Sequence, residues 1–349
     1  MKTVKIGNIE VGDKRPVFIV AEISANHLQD YDLAIKTIDA AGEAGANAVK
    51  LQTYTADTIT LDCDNEYFQI KQGTIWDGKT LHELYEEAYT PWDWQPDLKK
   101  HAEDLGMVCF SSPFDNTAVD FLEKMNVSAY KLASFEITDI PLIKYMASKK
   151  KPMVMSTGIA EVNDIEEALQ ACRDVGNDDI ILLKCTSAYP TPMNEVNLLT
   201  MVDMASRFKT LIGLSDHTLT TSVPIAAVSL GACFVEKHII TSRDLGGPDA
   251  SFSLEPNEFS KMVKAIREVE DALGKVDYSL SEKTKKSREF ARSLFVVEDI
   301  EKGGELTTEN VRSIRPAFGL HPKHFNEVLG KKAKRNISKG TPLDWDLLE

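Results

Sequence analysis

The stretch IILLKCTS (180–187), followed by LIGLSDH (211–217) and CFVEKHI (233–239), decides the fold. Each is an apolar run rich in Ile, Leu or Val that turns polar at its C-terminal end. The same pattern recurs upstream in VFIVAEIS (17–24), AVKLQTY (48–54), MVCFSSPF (107–114), AYKLAS (129–134) and PMVMSTG (152–158), giving eight runs between Val17 and Ile239. Between them lie segments such as YDLAIKTIDAAGEAGA, NTAVDFLEKMN, IPLIKYMASKK and DIEEALQACRDVG, where apolar residues recur at three and four and Gly or Lys stands near the end. Strand and helix therefore alternate through the first three quarters of the chain. Near-continuous apolar strands suit a parallel sheet covered on both faces, and eight strand–helix units predict an α/β protein built on a (β/α)8 TIM barrel. A doubly wound open sheet is the alternative, but no Gly-x-Gly-x-x-Gly loop follows the first strand.

Composition agrees with a globular protein of two parts. The 349 residues are 43% hydrophobic and 27% charged, enough apolar material for a large core and too much chain for one core of ordinary size. Lys and Arg number 40 against 54 Asp and Glu, and the net charge of -14 repels nucleic-acid backbones and anionic lipid, so neither is an expected partner. No apolar run reaches the roughly 20 residues that span a bilayer. The opening MKTVKIGNIEVGDKRP carries no secretory pattern, which predicts a cytoplasmic protein. Five scattered cysteines (Cys63, Cys109, Cys172, Cys185, Cys233), mostly inside apolar runs, read as buried thiols.

The interval from Thr55 to Lys100 separates the second and third strands and holds three of the four tryptophans. At a barrel mouth such an insertion shapes specificity; the plainer reading is a surface helix anchored by aromatics. After FSKMVKAIREVEDALG (259–274) the sequence turns basic and polar. This predicts a barrel domain over 1–280, a linker over 281–290 and a second domain over 291–349, the last with short strands, Gly turns and brief helical starts at Thr308 and Pro322.

In a barrel the C-terminal strand ends face the active site. Here they carry Glu22; Lys50 and Gln52; Ser111 and Ser112; Lys131, Ser134 and Glu136; Ser156 and Thr157; Lys184 and Ser187; Ser215 and His217; Glu236 and His238. Helix capping accounts for Ser, Thr and Asp, but an amine inside an apolar strand calls for an anion. Lysines beside hydroxyls at one mouth predict a pocket for an anionic small molecule bearing phosphate or carboxylate. His217 and His238 end neighbouring strands. Together with Glu22 or water they suit a divalent cation; singly, each would serve as an acid–base group or a plain hydrogen-bonder. His82, His101, His321 and His324 read as surface or structural.

The strings AEISANH, VKLQT, FSSPFD, YKLASFEI, STG, LLKCTSAYPTP, GLSDHT, VEKH and GGPD, in this order, resemble the sialic acid synthase family, whose members condense phosphoenolpyruvate with an N-acetylated sugar aldehyde. The tail, with VVEDIEKGGELT, RSIRP and NISKGTPL, looks like the antifreeze-like (SAF) domain of that family. TIWDGKTLHELYEEAYTPWDW and YKLASFEITDIPLI look most like members whose acceptor is a 2,4-diacetamido-2,4,6-trideoxy-altrose. Lys184 and Ser187 depart from the pattern of relatives that use N-acetylmannosamine, and NHLQD departs from the common NHNG.

The resemblance implies a metal held by His217 and His238, manganese first and magnesium or cobalt as alternatives. It implies phosphoenolpyruvate contacts at Ser112, Lys131, Ser134, Ser156 and Ser215, with Lys50 and Gln52 beside them. Glu22 would orient the attacking water or sugar hydroxyls. Ser187, Tyr189, Glu236 and Asp249 would serve the sugar, and Arg315 of the partner subunit would reach it in a homodimer with swapped C-terminal domains. Within the family a legionaminate or N-acetylneuraminate precursor is the alternative acceptor. Two further readings stand outside it: a non-catalytic carbohydrate- or ice-binding protein, suggested by the tail, and an aldolase with a Schiff-base lysine at Lys131 or Lys184.

Overall fold

A computed structural model describes residues 2–71, 73, 75–188 and 191–349. The chain divides into two compact units, Met1–Gly274 and Lys275–Glu349.

The first unit opens with a hairpin of β1 (Thr3–Ile6) and β2 (Ile9–Gly12). Eight parallel strands follow: β3 (Phe18–Glu22), β4 (Ala48–Thr53), β5 (Val108–Pro113), β6 (Tyr130–Leu132), β7 (Met153–Ser156), β8 (Ile180–Cys185), β9 (Leu211–Asp216) and β10 (Phe234–His238). They pair in sequence order, and β10 returns to β3 to close the barrel. The expected (β/α)8 barrel is therefore the fold, and the open sheet is excluded by that closure. Every residue of β3, β5, β7, β9 and β10 is buried, the pattern of a sheet covered on both faces.

Helix starts are written locally. Asp30, Asp115 and Asp139 each cap a helix by accepting backbone N–H bonds, from Leu33, from Thr117 and Ala118, and from Leu142 respectively. Each such cap contributes about 1 kcal/mol. The hairpin β1–β2 was not among the expected strands. Its inward Val4, Ile6 and Val11 join the barrel core, and Gly7 and Gly12 lie against Val108 and Leu211, the first residues of β5 and β9. The hairpin thus plugs the N-terminal end of the barrel, opposite the polar strand ends.

The second unit pairs β11 (Ser293–Val296) with β12 (Val311–Ile314) in antiparallel register. Leu294, Val296, Leu306, Val311, Val328 and Leu343 form its own core. A short helical segment begins at Pro322 as expected, but Thr308 starts only a turn. There Asn310 accepts from the N–H of Thr307 and donates to the carbonyl of Glu305, so its side chain replaces the bonds a helix would need. The stretch expected as a linker holds a helix at Glu282–Ser287.

Candidate active site

The C-terminal ends of the barrel strands surround a cavity of about 630 Å³. Twelve residues expected from sequence line it: Lys50, Gln52, Lys131, Ser134, Glu136, Ser156, Ser187, Ser215, His217, Glu236, His238 and Asp249. Glu22 and Ser112 stand elsewhere. Glu22 is 0% exposed and lies behind Lys50, its Oε2 2.8 Å from Lys50 Nζ, while its Oε1 accepts from Gln52 at 3.2 Å. Ser112 accepts from the same Lys50 ammonium at 3.4 Å. Both buttress the lining rather than form it. Tyr189 falls outside the described residues, and Arg315 belongs to the second unit. Lys184 does not line the cavity: it donates to the Cys185 carbonyl and to Thr186 Oγ1, which corrects the expectation that every strand lysine awaits an anion.

Glu236 organises the floor. Its Oε1 lies 3.1 Å from Lys50 Nζ and 3.9 Å from Lys131 Nζ, and accepts from Ser215 Oγ at 3.3 Å. Burial raises the Glu236 pKa, but the two ammonium groups outweigh it and hold the carboxyl below its usual range. Burial likewise pulls Lys50 down to about 8 against the attraction of Glu236. The floor is thus a buried site in which carboxylates hold the lysine side chains in place.

Hydroxyls from three strands complete it. Ser187 donates to Ser134 at 3.0 Å, beside Gly158. A Cβ on Gly158 would fall 2.1 Å from Ser187 Oγ and 2.4 Å from Ser134 Oγ, so a glycine is needed for the two hydroxyls to meet. Ser156 Oγ, Glu236 Oε2 and His238 Nδ1 are buried without a hydrogen-bond partner among the described residues. Unpaired buried polar atoms are costly, and these three, with Glu136 Oε2 in the same lining, point to a bound ligand as the missing partner.

The imidazoles of His217 and His238 lie with ring centroids 5.2 Å apart. The Phe252 ring meets both edge-on, at 5.8 and 5.1 Å. Burial, and then the charge of His217, pushes the His238 pKa well below its ordinary value, so this ring is neutral and its nitrogen lone pair is available. Among the described residues no group of three or more His, Cys, Asp or Glu side chains forms a complete cage. A pair of imidazoles with one orphaned buried nitrogen fits a divalent cation whose remaining positions are filled by substrate and water.

Further polar groups complete the lining. Ser24 donates a short bond to Asp249, which also accepts from the backbone N–H of Ala25 at 3.3 Å. Glu136, in the short helical turn Ser134–Thr138 after β6, lines the cavity with its Oε2 unpartnered, and burial lifts its pKa to about 7. The Thr55–Lys100 insertion supplies both aromatic anchors and part of the cavity wall. Trp92 donates to the Tyr54 carbonyl and Trp94 meets Tyr31 edge-on, as anchors; Trp76 reaches the cavity wall and donates to the Pro248 carbonyl at 3.1 Å.

A closed parallel barrel with a polar strand-end cavity and a separate small β unit defines a barrel enzyme with an appended domain. The NeuB family model matches residues 37–278 and the SAF domain model residues 291–349. The chain belongs to the NeuB family. It is 45% identical over 339 residues to pseudaminic acid synthase of Campylobacter jejuni, spanning 97% of this chain and 98% of that one. It is 46% identical over 336 residues to pseudaminic acid synthase of Helicobacter pylori, spanning 96% and 98%. A solved N-acetylneuraminic acid synthetase from Leptospira borgpetersenii, in complex with citrate, superposes with a TM-score of 0.73 at 29% identity, covering 82% of this chain and 95% of that one.

Proposed function

We propose that this enzyme condenses phosphoenolpyruvate with 2,4-diacetamido-2,4,6-trideoxy-altrose and water, giving pseudaminic acid and phosphate. The observation that carries the reading is the strand-end floor. Lys50 and Lys131 flank Glu236 beside Ser134, Ser156, Ser187 and Ser215, with two buried imidazoles at its edge. The 45% identity to relatives named for this product selects the acceptor.

The lysines and hydroxyls would bind the phosphate and carboxylate of phosphoenolpyruvate, prepositioned so that no reorganisation is needed as charge develops. Glu22 acts as a positioning residue, holding Lys50 and Gln52 from behind. A divalent cation, manganese first among those considered, held by His217 and His238 would supply Lewis acidity toward the sugar aldehyde. Carbon 3 of phosphoenolpyruvate then bonds to the aldehyde carbon, water adds at carbon 2, and C–O cleavage releases phosphate. Lys131 needs no covalent bond to substrate in this scheme, so borohydride with substrate should trap no adduct. From the resemblance we further place the enzyme in the cytoplasm as a homodimer with exchanged tails, Arg315 of the partner subunit serving the sugar.

The test is phosphate release from phosphoenolpyruvate and manganese with three sugars in parallel: the diacetamido-altrose, the corresponding legionaminic precursor, and N-acetylmannosamine. Release with the first alone supports the reading. Preference for another sugar replaces the acceptor, and no metal-dependent release with any of them removes the activity.

A further inference from the structure

Lys184 is a strand lysine that the proposed reaction leaves unused. It stands half-buried near the end of β8, outside the cavity lining, and among the described residues no carboxylate pairs with it. A buried ammonium without a counter-ion needs hydrogen bonds. It finds them close by: Nζ donates to the Cys185 carbonyl at 2.6 Å and to Thr186 Oγ1 at 3.2 Å, and that hydroxyl donates in turn to the Glu195 carbonyl at 3.4 Å.

The two residues that Lys184 holds both touch His217. β8 and β9 pair with Cys185 opposite Ser215, which brings Thr186 and His217, just beyond, to one strand end. The Thr186 carbonyl faces His217 Nδ1 at 3.4 Å, and the Cys185 thiol hydrogen-bonds the same ring. A carbonyl only accepts, so Nδ1 carries the hydrogen of the neutral ring and Nε2 keeps the lone pair.

We propose that Lys184 is a positioning residue for the metal centre: by clamping Cys185 and Thr186 it aims the Thr186 carbonyl at His217 Nδ1 and so reserves Nε2 for the divalent cation. The inference rests on the two-histidine site proposed above. One bond of the lysine grips the peptide before Thr186 and the other its side chain, which leaves the following carbonyl little freedom to turn from the ring. Metal-binding imidazoles commonly donate their second N–H to a carbonyl or carboxylate, and losing such support weakens metal binding about 10–100-fold.

Two measurements test it: manganese affinity by calorimetry, and the nitrogen NMR resonances of His217 in the metal-free enzyme, assigned by their absence in His217→Ala, which tell an Nδ1–H imidazole from an Nε2–H one. The wild type should show the Nδ1–H form. Lys184→Met, of similar length but without a donor, should weaken manganese affinity about 10–100-fold and shift His217 toward the other tautomer. Lys184→Arg, whose guanidinium can donate to the same two oxygens, should restore both. Thr186→Val removes one of the two acceptors and keeps the lysine, and should move both readouts in the same direction should Lys184→Met fold poorly. Unchanged affinity or an unchanged tautomer in the folded variants overturns the inference and leaves the two-histidine site standing. A wild type that binds no manganese overturns that site and the inference with it.

Discussion

Lys237 and Asp216 face each other across β9 and β10, Nζ to Oδ2 at 2.5 Å, on the side of the barrel wall away from the cavity. Lys237 is 0% exposed and also donates to the Thr218 carbonyl, while Asp216 accepts from the backbone N–H of Thr218 at 2.9 Å. Asp216 immediately precedes His217 in the chain, and Lys237 immediately precedes His238. The pair therefore ties together the two strand ends that carry the imidazoles.

Breaking this tie should show in metal affinity as well as in stability. Lys237→Met leaves Asp216 as an unpaired buried carboxylate and should cost about 3–5 kcal/mol, much of it regained when Asp216→Asn is added. Calorimetric titration with manganese below the melting temperature should give affinities about 10–100-fold weaker in both variants, the usual effect of removing groups that orient metal ligands. Unchanged affinity in the folded double variant would reduce the pair to a structural role.

His217→Ala should abolish turnover and manganese binding while circular dichroism remains that of the wild type. The ring lies at the cavity edge, beyond the end of β9, so its removal disturbs little of the core. Near-normal activity with added manganese would sink the two-histidine assignment.

The lowered pKa of Lys50 has a direction that can be tested. With the amine at about 8, its charge is lost as pH rises through that value. kcat/KM for phosphoenolpyruvate should fall toward tenfold per pH unit above about 8, since this ratio reports groups of the unliganded enzyme. In Lys50→Met the ratio should be low at every pH and that limb should vanish.

Glu136 works in the opposite sense. Burial raises its pKa from 4.5 to about 7, so between these values the folded state holds a proton that the unfolded state has released. Stability should therefore fall as pH rises from about 4.5 to about 7, by at most about 3 kcal/mol, and level off above. Chemical denaturation of the wild type and Glu136→Gln at pH 5 and pH 8 measures it. The variant should lose this part of the pH dependence, and parallel curves would show that Glu136 is solvated.

Arg315→Ala should raise KM for the sugar and leave that for phosphoenolpyruvate near the wild-type value. An unchanged sugar KM would remove the tail from the acceptor site.

The barrel was legible because parallel strands covered on both faces read as apolar runs, whose polar last residues mark the functional end. The hairpin TVKIGNIEVG alternates as clearly but is short, and what it buries against, the first residues of strands far along the chain, is not a local property. Strand lysines looked alike in sequence. Lys50 and Lys131 face the cavity, whereas Lys184 turns to its own backbone and Lys237 to Asp216.

By itself, then, the sequence determined the strand–helix period, the polar strand ends, and the placing of two histidines on successive strands. Tertiary structure decided what those groups do to one another. Closure of β10 onto β3 sets His238 in register with Glu22, and β3 onto β4 sets Glu22 in register with Lys50. Glu236 meets two lysines from distant strands, and an insertion after β4 supplies part of the cavity wall. Such relations depend on register and closure between segments far apart in the chain, and no local pattern of residues encodes them.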